Sequence, residues 1–282
     1  MVASMLALAA VAVLPFAAKE ATLIAAGDIA SCDSRGDEVT ARLLDRLDGT
    51  IAALGDLAYQ HGTDAQFRRC YAPSWGRHAR RTRPAVGNHE YGVPGAGGYF
   101  RYFGRAAGRT PGYYSYDLGS WHVVVLNSNC RPAGGCAAGS PQERWLRADL
   151  AAHPARCTLA YAHHPRFSSG LHGSDRTLID LWQALFAAGA DVVLAAHDHD
   201  YERFSPLTPR GRRDARRGLR QFVVGTGGRS LHPTLLPRRG SEVRHASSYG
   251  VLVLRLGVES YSWRFVPAAE GRFRDAGSGS CH

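Results

Sequence analysis

Short apolar runs that end abruptly at polar residues recur along the chain. Five runs have the length of a β-strand and end at turn signals, at residues 21–26, 50–54, 84–86, 158–162 and 191–196. Helical patterns lie between them. Val39, Leu43, Leu44 and Leu47 share one face of a predicted helix over 37–47, and Ser140-Pro141-Gln142-Glu143 forms a capping box that starts a helix to about Ala152. Ser174 can cap another helix over 175–188. This alternation predicts an α/β fold.

The second half of the chain adds further strand patterns. Residues 113–117 and 121–127 predict a hairpin, and 221–226, 250–256 and 259–265 predict late strands, the last two also a hairpin. The arginine-dense stretch 205–219 lacks periodicity and is expected to be a surface loop. We expect the glycine-rich tail after Pro267 to be loose until Cys281. No internal repeat or linker interrupts the pattern, which predicts a single catalytic domain over 19–282.

Each of the five runs is followed by a side chain that can bind a metal. These side chains are Asp28 in Gly27-Asp28, Asp56 in Gly55-Asp56, Asn88 in Gly87-Asn88-His89-Glu90, His163, and His197 in His197-Asp198-His199. Ligands of open α/β sheets bind beyond the carboxyl ends of strands. Carboxylates and imidazoles suit iron, zinc or manganese, and one carboxylate can bridge two cations. One Gly-Asp is usually a solvated turn, but five such strand ends predict a metal centre at one rim.

The charge balance is strongly basic. The chain has a formal net charge of +10, carried almost wholly by arginine because Lys19 is the only lysine. This balance is compatible with an anionic substrate, nucleic acid or a membrane surface, and equally with a compositional preference for arginine. Regular interleaving of aromatic and basic residues, as on a nucleic-acid surface, is absent. We therefore expect a small anionic substrate and no specific nucleic acid.

The N-terminus and the cysteines indicate an exported protein. Residues 1–18 resemble the apolar region of a secretory signal, or its remnant, although no positively charged segment precedes them. They are short for a membrane span, and no other stretch could cross a bilayer. None of the six cysteines forms a Cys-x-x-Cys pair, which favours disulfides, with Cys130–Cys136 the easiest pair to propose. We expect a secreted or cell-envelope location.

Taken in order, these motifs resemble those of calcineurin-like metallophosphoesterases, and within that superfamily the purple acid phosphatases of small bacterial type. The resemblance runs from about Ala21 to Tyr261. The superfamily usually has Asp-x-His in its first motif, where this chain has Ala30. Purple acid phosphatases use instead the tyrosine of Gly-Asp-x-x-Tyr, which is Tyr59 here, and Tyr201-Glu202-Arg203 is also typical of them. Ala30 and Ala196 replace family glycines. The resemblance implies a four-layer αββα sandwich of two mixed β-sheets flanked by helices.

The resemblance also implies two adjacent metal ions and a set of roles. Asp28, Tyr59 and His199 would hold Fe(III), while Asn88, His163 and His197 would hold Fe(II), zinc or manganese, with Asp56 bridging both. The implied enzyme is an acid phosphatase in which a metal-bridging hydroxide attacks a phosphomonoester. Asp56, His89 and His172 would be catalytic, and Asn88, His89 and His172 would bind substrate. His89 would stabilise the phosphate charge or protonate the leaving group.

Other interpretations remain open. A phosphodiesterase or nucleotide pyrophosphatase could use the same metals, because loops around the rim set substrate choice. A basic binding protein with a residual metal site would need a lost ligand, and none is lost. Glu90 is expected to accept hydrogen bonds that orient its loop, His164 to be structural, and His232 to be ordinary, while Asp198 and Asp200 could be solvated or could orient the histidines. The natural substrate, the metals, the pH optimum and the oligomeric state stay undetermined.

Overall fold

A computed structural model describes residues 20–268 and 273–282, so the predicted signal segment 1–18 lies outside the described residues. The described strands are β1 Ala21–Ala26, β2 Thr50–Leu54, β3 Thr82–Ala85, β4 Tyr114–Leu118, β5 Trp121–Val125, β6 Cys157–Tyr161, β7 Val192–Ala195, β8 Tyr201–Phe204, β9 Arg220–Val224, β10 Ser241–His245, β11 Gly250–Leu256, β12 Ser260–Pro267 and β13 Ala276–Ser280. The described α-helices are α1 Gly36–Leu44, α2 Asp64–Gln66, α3 Gly97–Phe103, α4 Pro141–Ala152 and α5 Ile179–Ala187. None of these helices has the length and apolarity that a membrane span requires.

The strands form two mixed sheets. The first has the order β13-β12-β11-β1-β2-β3, and the second has the order β10-β8-β9-β7-β6-β5-β4. β1, β2 and β3 are mutually parallel, as are β5, β6, β7 and β9. The other strands, β11 to β13 in the first sheet and β4, β8 and β10 in the second, pair antiparallel with their neighbours. Helix α1 covers the first sheet, and α4 and α5 cover the second. The structure thus confirms the predicted sandwich of two mixed sheets flanked by helices.

Alternation of side chains along the central strands explains the layers. On β5, Val123 and Val125 point into the core between the sheets, while Val124 packs with residues of α4 and α5. On β7, Leu194 faces the core between the sheets and Val193 faces the helices. Successive side chains of a strand point to opposite faces. A strand buried on both faces must therefore be apolar throughout, which is why these strands appear in the sequence as unbroken runs.

The described end of the C-terminal tail forms a strand, contrary to the prediction that the tail is loose until Cys281. β13 pairs antiparallel with β12. Any Cβ at Gly277 would lie 2.4 Å from the Trp263 ring, and one at Gly279 would lie 2.6 Å from the Tyr261 ring. The glycines therefore let two aromatic rings lie across the strand. The sequence patterns also did not predict β8 and β10, which are short strands paired with each other.

The first turns of α4 and α5 can be compared with the caps predicted at Ser140 and Ser174. Ser140 Oγ accepts a hydrogen bond from the Glu143 amide at 3.3 Å and caps α4, as expected. The cap proposed at Ser174 is wrong. Asp175 takes that role instead, because its carboxylate accepts from the Thr177 amide at 2.8 Å, and a short 3₁₀ turn precedes α5.

All six cysteines pair, as Cys32–Cys70, Cys130–Cys136 and Cys157–Cys281. The Cys130–Cys136 bridge is the one that the spacing favoured.

Candidate metal centre

The predicted ligands lie at one rim because the parallel strands of both sheets end there. Asp28, Asp56, His163 and His197 each stand two residues beyond the last residue of β1, β2, β6 and β7 respectively. Two of these strands belong to the first sheet and two to the second. The carboxyl ends of parallel strands meet at the same edge of a sheet, and here the two edges lie side by side. The rim therefore collects donors from segments up to 169 residues apart.

The backbone turns sharply at three of these positions. Asp28, Asp56 and His197 have φ values of 57°, 52° and 70°, in the left-handed region that side chains other than glycine seldom adopt. Such residues persist where the surroundings force them, and they cluster at functional sites. The neighbouring glycines make room: a Cβ at Gly87 would lie 2.1 Å from Asp56 Oδ1. The turns thus aim side chains inward at the cost of local strain.

One half of the cluster surrounds the Tyr59 hydroxyl. This hydroxyl lies 2.7 Å from Asp28 Oδ1, 3.2 Å from Asp56 Oδ2 and 3.3 Å from His199 Nε2. His199 Nε2 is also 3.4 Å from Asp28 Oδ1. The phenol, two carboxylates and an imidazole therefore converge on one point.

The other half surrounds His163 Nε2. This nitrogen lies 3.0 Å from Asn88 Oδ1, 3.2 Å from His197 Nδ1 and 3.1 Å from Asp56 Oδ2. Asp56 Oδ2 is the atom that also contacts the Tyr59 hydroxyl. A single carboxylate oxygen is therefore shared between the two halves. All seven residues predicted as metal ligands are in one continuous cluster.

Burial and mutual charge set the ionisation of this cluster. Burial raises the pKa of the Asp28 carboxyl, but the attraction of His199 and His163 lowers it by more. The pKa of Asp28 is therefore below its usual range. Burial lowers the pKa of His163, but Asp56 and Asp28 raise it to about 9. Burial lowers the pKa of His197 to about 2, assisted by the neighbouring His163. Protons on His163 and His199, whose pKa values are both raised by the neighbouring carboxylates, thus compensate the buried charges, whereas His197 is neutral.

The donor set fits metal ions. In the described part of the chain, the ion pairs of Asp28 and Asp56 are with histidines, not with arginines. Burial also raises the pKa of Tyr59 well above its usual value, so its phenol is neutral and donates to Asp28. Cations bound at the two points would replace these protons and neutralise the carboxylates. Oxygen and imidazole donors suit hard or borderline cations.

Hydrogen bonds from outside the cluster hold its members in place. Glu90 is buried, and its carboxylate accepts from the amides of Asp56 at 3.0 Å, Leu57 at 2.8 Å and Gly87 at 2.8 Å. This fits the role expected for Glu90. Burial raises the pKa of this carboxyl to about 7, with repulsion from Asp56 as the next cause.

Two ligand histidines are fixed through their outer nitrogens. His163 Nδ1 donates to the Leu54 carbonyl at 2.9 Å, and His199 Nδ1 lies 2.6 Å from the Ser230 hydroxyl. These contacts leave Nε2 of both rings facing the cluster, the arrangement usual for metal-binding histidines.

The two histidines predicted as catalytic stand at the open side. The His89 amide donates to Asp56 Oδ1 at 2.8 Å, and Nδ1 of its ring donates to the Gln60 carbonyl at 2.7 Å. His89 Nε2 is 3.8 Å from Asp56 Oδ2, and about a third of the side chain is exposed. The His172 ring centroid lies 4.5 Å from that of His197. Both imidazoles therefore border the cluster without being part of its two contact points.

The structure decides between the two interpretations left open for Asp198 and Asp200. Asp198 and Asp200 are both buried, which excludes the solvated alternative. Asp198 accepts from the amides of His172 at 2.7 Å and Gly173 at 3.2 Å, and also from the Ser168 hydroxyl. It therefore positions the loop that carries His172. Burial raises the pKa of Asp200 to about 8, with Glu202 adding to the effect.

Sequence reasoning also missed part of the rim. His232, expected to be ordinary, stacks on His199 with ring centroids 4.3 Å apart. The Arg229 guanidinium lies 5.2 Å from the centre of the Tyr59 ring. Both residues follow the Gly225-Thr226-Gly227-Gly228 turn, which packs against Asp28 and Gly27. That turn was the one local signal that could have pointed to them.

Comparison with known proteins agrees with this geometry. An uncharacterised protein of Mycobacterium tuberculosis is 28% identical over 219 residues, which are 62% of this chain and 41% of that protein. Purple acid phosphatase 21 of Arabidopsis thaliana is 33% identical over 101 residues, 34% of this chain and 22% of that protein. The chain thus spans less than half the length of these relatives.

A solved structure shows the same fold. The purple acid phosphatase PPD1 from seeds of yellow lupin (Lupinus luteus) superimposes with a TM-score of 0.79 at 17% identity, covering 94% of this chain and 55% of that one. The family model for calcineurin-like phosphoesterases matches residues 14–201. This match takes in every predicted ligand, the strands β1 to β3 of the first sheet and the strands β4 to β7 of the second, and the chain belongs to the calcineurin-like phosphoesterase family.

Proposed function

We propose that this protein is an acid phosphatase that hydrolyses phosphomonoesters at a binuclear metal centre. The observation that carries the proposal is the shared Asp56 Oδ2, which contacts the Tyr59 hydroxyl on one side and His163 Nε2 on the other. A carboxylate in that position can bridge two cations. Asp28, Tyr59 and His199 would hold one of them, and Asn88, His163 and His197 the other.

Two bound cations would supply Lewis acidity, lowering the pKa of a water nucleophile and offsetting the charge of the phosphate. The chain's own residues would position the reactants. The Gln60 carbonyl holds Nδ1 of His89 as a donor, so Nε2 is the atom free to face substrate. In a phosphomonoester, the bond from phosphorus to the ester oxygen breaks as water adds. His89 protonated at both nitrogens would give its Nε2 proton to the departing alkoxide, which leaves as the alcohol, and Nε2 would regain a proton from the water oxygen that becomes part of the phosphate.

Charge around the rim supports an anionic substrate. Arg229 lies over Tyr59, and His89, His172 and His232 border the cluster. A net charge of +10 would also raise the rate at which anions reach the site. We propose that Fe(III) binds beside Tyr59, since a phenolate is a hard anionic ligand. The metal beside His163 would be Fe(II), zinc or manganese. The three disulfides support a secreted or cell-envelope location.

The test compares two esters on metal-reconstituted protein. p-Nitrophenyl phosphate should be hydrolysed with a much larger kcat/KM than bis-p-nitrophenyl phosphate. The reverse order would favour the phosphodiesterase alternative on the same metals. Absence of turnover on both esters, with two metals bound per chain, would contradict hydrolysis itself. Asp56→Asn is the matched negative control, because it removes the shared carboxylate while keeping the size of the side chain.

A further inference from the structure

The segment 229–238, called here the rim segment, crosses the candidate metal centre. Its backbone is tied to three parts of the site. The Arg229 amide donates to the Asp28 carbonyl at 2.9 Å, the His232 amide to the His199 carbonyl at 3.0 Å, and the Leu235 amide to the Ser169 carbonyl at 2.7 Å. The rim segment therefore runs from one predicted ligand past another to the loop that carries His172.

The start of the rim segment presents basic and hydrogen-bonding groups next to the cluster. The Arg229 guanidinium covers the Tyr59 ring, and the His232 ring stacks on His199 and lies 6.3 Å from the His172 ring. Ser230 Oγ contacts His199 Nδ1 at 2.6 Å and His232 Nε2 at 3.3 Å. This part of the segment borders the place where an anionic phosphate would lie.

The far part of the rim segment carries two exposed leucines before Arg238. Four large apolar side chains are exposed in the described part of the chain: Leu235 at 55% and Leu236 at 87% lie in the rim segment, Leu171 at 50% lies in the loop that carries His172, and Val258 is the fourth. Leu171 precedes His172 and is two residues from Ser169, to which Leu235 is hydrogen-bonded. We call these three leucines the apolar shelf. Single exposed leucines are ordinary, but a group of them beside a site marks a binding surface.

The loop beneath the apolar shelf is held rigidly. Ser169 donates from its amide and its hydroxyl to the buried Glu202, at 2.8 and 2.6 Å. Ser169 Oγ in turn accepts from the Arg238 amide at 2.8 Å, which closes the end of the rim segment onto the same loop. Asp198 holds the next residues of that loop. The leucines are thus presented outward by a fixed scaffold, which lowers the entropic cost of binding a ligand there.

We propose that the apolar shelf binds the hydrocarbon part of the leaving group, so that the preferred substrates are phosphomonoesters of alkyl or aryl alcohols. The inference rests on the proposed phosphatase function. Basic groups at the start of the rim segment and the leucines that follow, before Arg238, match an amphiphile whose phosphate enters the metal centre. The hydrocarbon then leaves water by lying on the shelf, which stabilises the complex in proportion to the apolar area covered.

The test is a series of n-alkyl phosphates from methyl to hexyl, assayed by phosphate release from metal-loaded protein. For wild type we expect kcat/KM to rise about two- to fourfold per methylene, the range that follows from burying one CH₂ group. The double variant L235S/L236S should lose most of this dependence on chain length. The matched control is Val258→Ser, which changes the fourth exposed apolar side chain at 49% exposure, on the turn between β11 and β12. This control should keep the full dependence.

Binding of n-alkylphosphonates, which are not hydrolysed, gives a second measurement that needs no turnover. Their affinity for metal-loaded wild type should rise with chain length, and L235S/L236S should again flatten the series. If no ester is hydrolysed, the proposed phosphatase function is wrong. The phosphonate series then tests by itself whether the apolar shelf binds hydrocarbon. Hydrolysis rates and affinities that do not change with chain length would contradict hydrocarbon binding by the apolar shelf. They would not contradict the proposed phosphatase function. A flat series combined with leucine-dependent binding to phosphatidylglycerol vesicles would also contradict binding of the leaving group by the apolar shelf, in favour of a membrane contact.

Discussion

Tyr59 and Asp56 show how single residues determine the chemistry of the site. The Tyr59 hydroxyl contacts two carboxylates and one imidazole, and Asp56 Oδ2 contacts groups from both halves of the cluster. Asp28 and Asp56 hold left-handed backbone angles, as does the nearby His197. Each of these side chains therefore makes contacts that no neighbouring side chain can replace. Single substitutions should have separate and distinguishable effects.

Tyr59→Phe tests the phenolate. Iron-loaded wild type should show a visible charge-transfer band from the phenolate to Fe(III), and Tyr59→Phe should lack it while keeping the fold. A cation would replace the proton that the phenol now shares with Asp28. Tyr91→Phe is the control, because the Tyr91 hydroxyl accepts from Asn127 outside the cluster and should leave the band unchanged. A band that survives in Tyr59→Phe would rule out the phenolate.

His89→Ala and Asp56→Asn should separate catalysis from metal binding. His89 borders the cluster through Nε2, so its loss should lower kcat by about 10²–10⁴-fold with two metals still bound. Asp56→Asn should lose nearly all activity and most of the metal. Metal content per chain and kcat are measured together, with the exposed His61→Ala as control. Loss of metal in His89→Ala would show that His89 is a ligand rather than a catalytic residue.

At the scale of elements, an ion-paired histidine joins a helix to the edge of the second sheet. His122 on β5 contacts Asp117 on β4 through Nδ1 at 3.0 Å and Asp149 on α4 through Nε2 at 2.9 Å. Ser115 on β4 donates to Asp149 at 2.7 Å, and His153 at the end of α4 stacks on His122 at 4.8 Å. These contacts secure β4, which is an edge strand of the second sheet.

This contact predicts a dependence of stability on pH. Burial lowers the pKa of His122, but its hydrogen bonds to Asp149 and Asp117 raise it more, so the folded-state pKa is above the ordinary value of 6.5. The stabilisation is therefore complete below about pH 6.5 and is lost as pH rises through the folded-state pKa. The difference in the free energy of unfolding between wild type and His122→Gln should be larger at about pH 5.5 than at pH 9. A difference that does not vary with pH would mean that His122 is not charged in the folded protein.

At the scale of the whole molecule, a disulfide joins the two sheets. Cys157 begins β6 in the second sheet, and Cys281 follows β13 in the first. The bridge spans a sequence separation of 124, against 6 for Cys130–Cys136. Because a cross-link restricts the unfolded chain more when it closes a longer loop, the two bridges should contribute unequally to stability.

The two double variants C157S/C281S and C130S/C136S measure this difference. In the loop-entropy model, the first should lose about 4–5 kcal/mol of unfolding free energy and the second about 2 kcal/mol. Chemical denaturation of both variants gives the values. Equal losses would show that native contacts, rather than chain entropy, dominate. In protein from its natural compartment, mass spectrometry without reductant should detect no free thiol.

The sequence by itself determined the central strands and the ligand set. β1, β2 and β11 have the predicted bounds. In β1 and β2 the reason is burial on both faces, which requires an apolar run, whereas β11 also carries the exposed Arg255. The turn residues after those runs are where α/β sheets place ligands, so Asp28, Asp56, His163 and His197 could be chosen before any contact was known. These features are local in the chain, and local patterns record them.

Only the tertiary structure decided the features that depend on distant partners. β13 is glycine-rich, and it forms because the rings of Tyr261 and Trp263 cover its glycines and β12 offers its edge. Apart from the glycine-rich turn that precedes it, nothing in the sequence distinguishes His232 from other isolated histidines, and it borders the metal centre because the rim segment is hydrogen-bonded back across it. The apolar shelf likewise joins residues about 64 positions apart. Its physical cause is a hydrogen bond between Leu235 and Ser169, which periodicity along the chain cannot record.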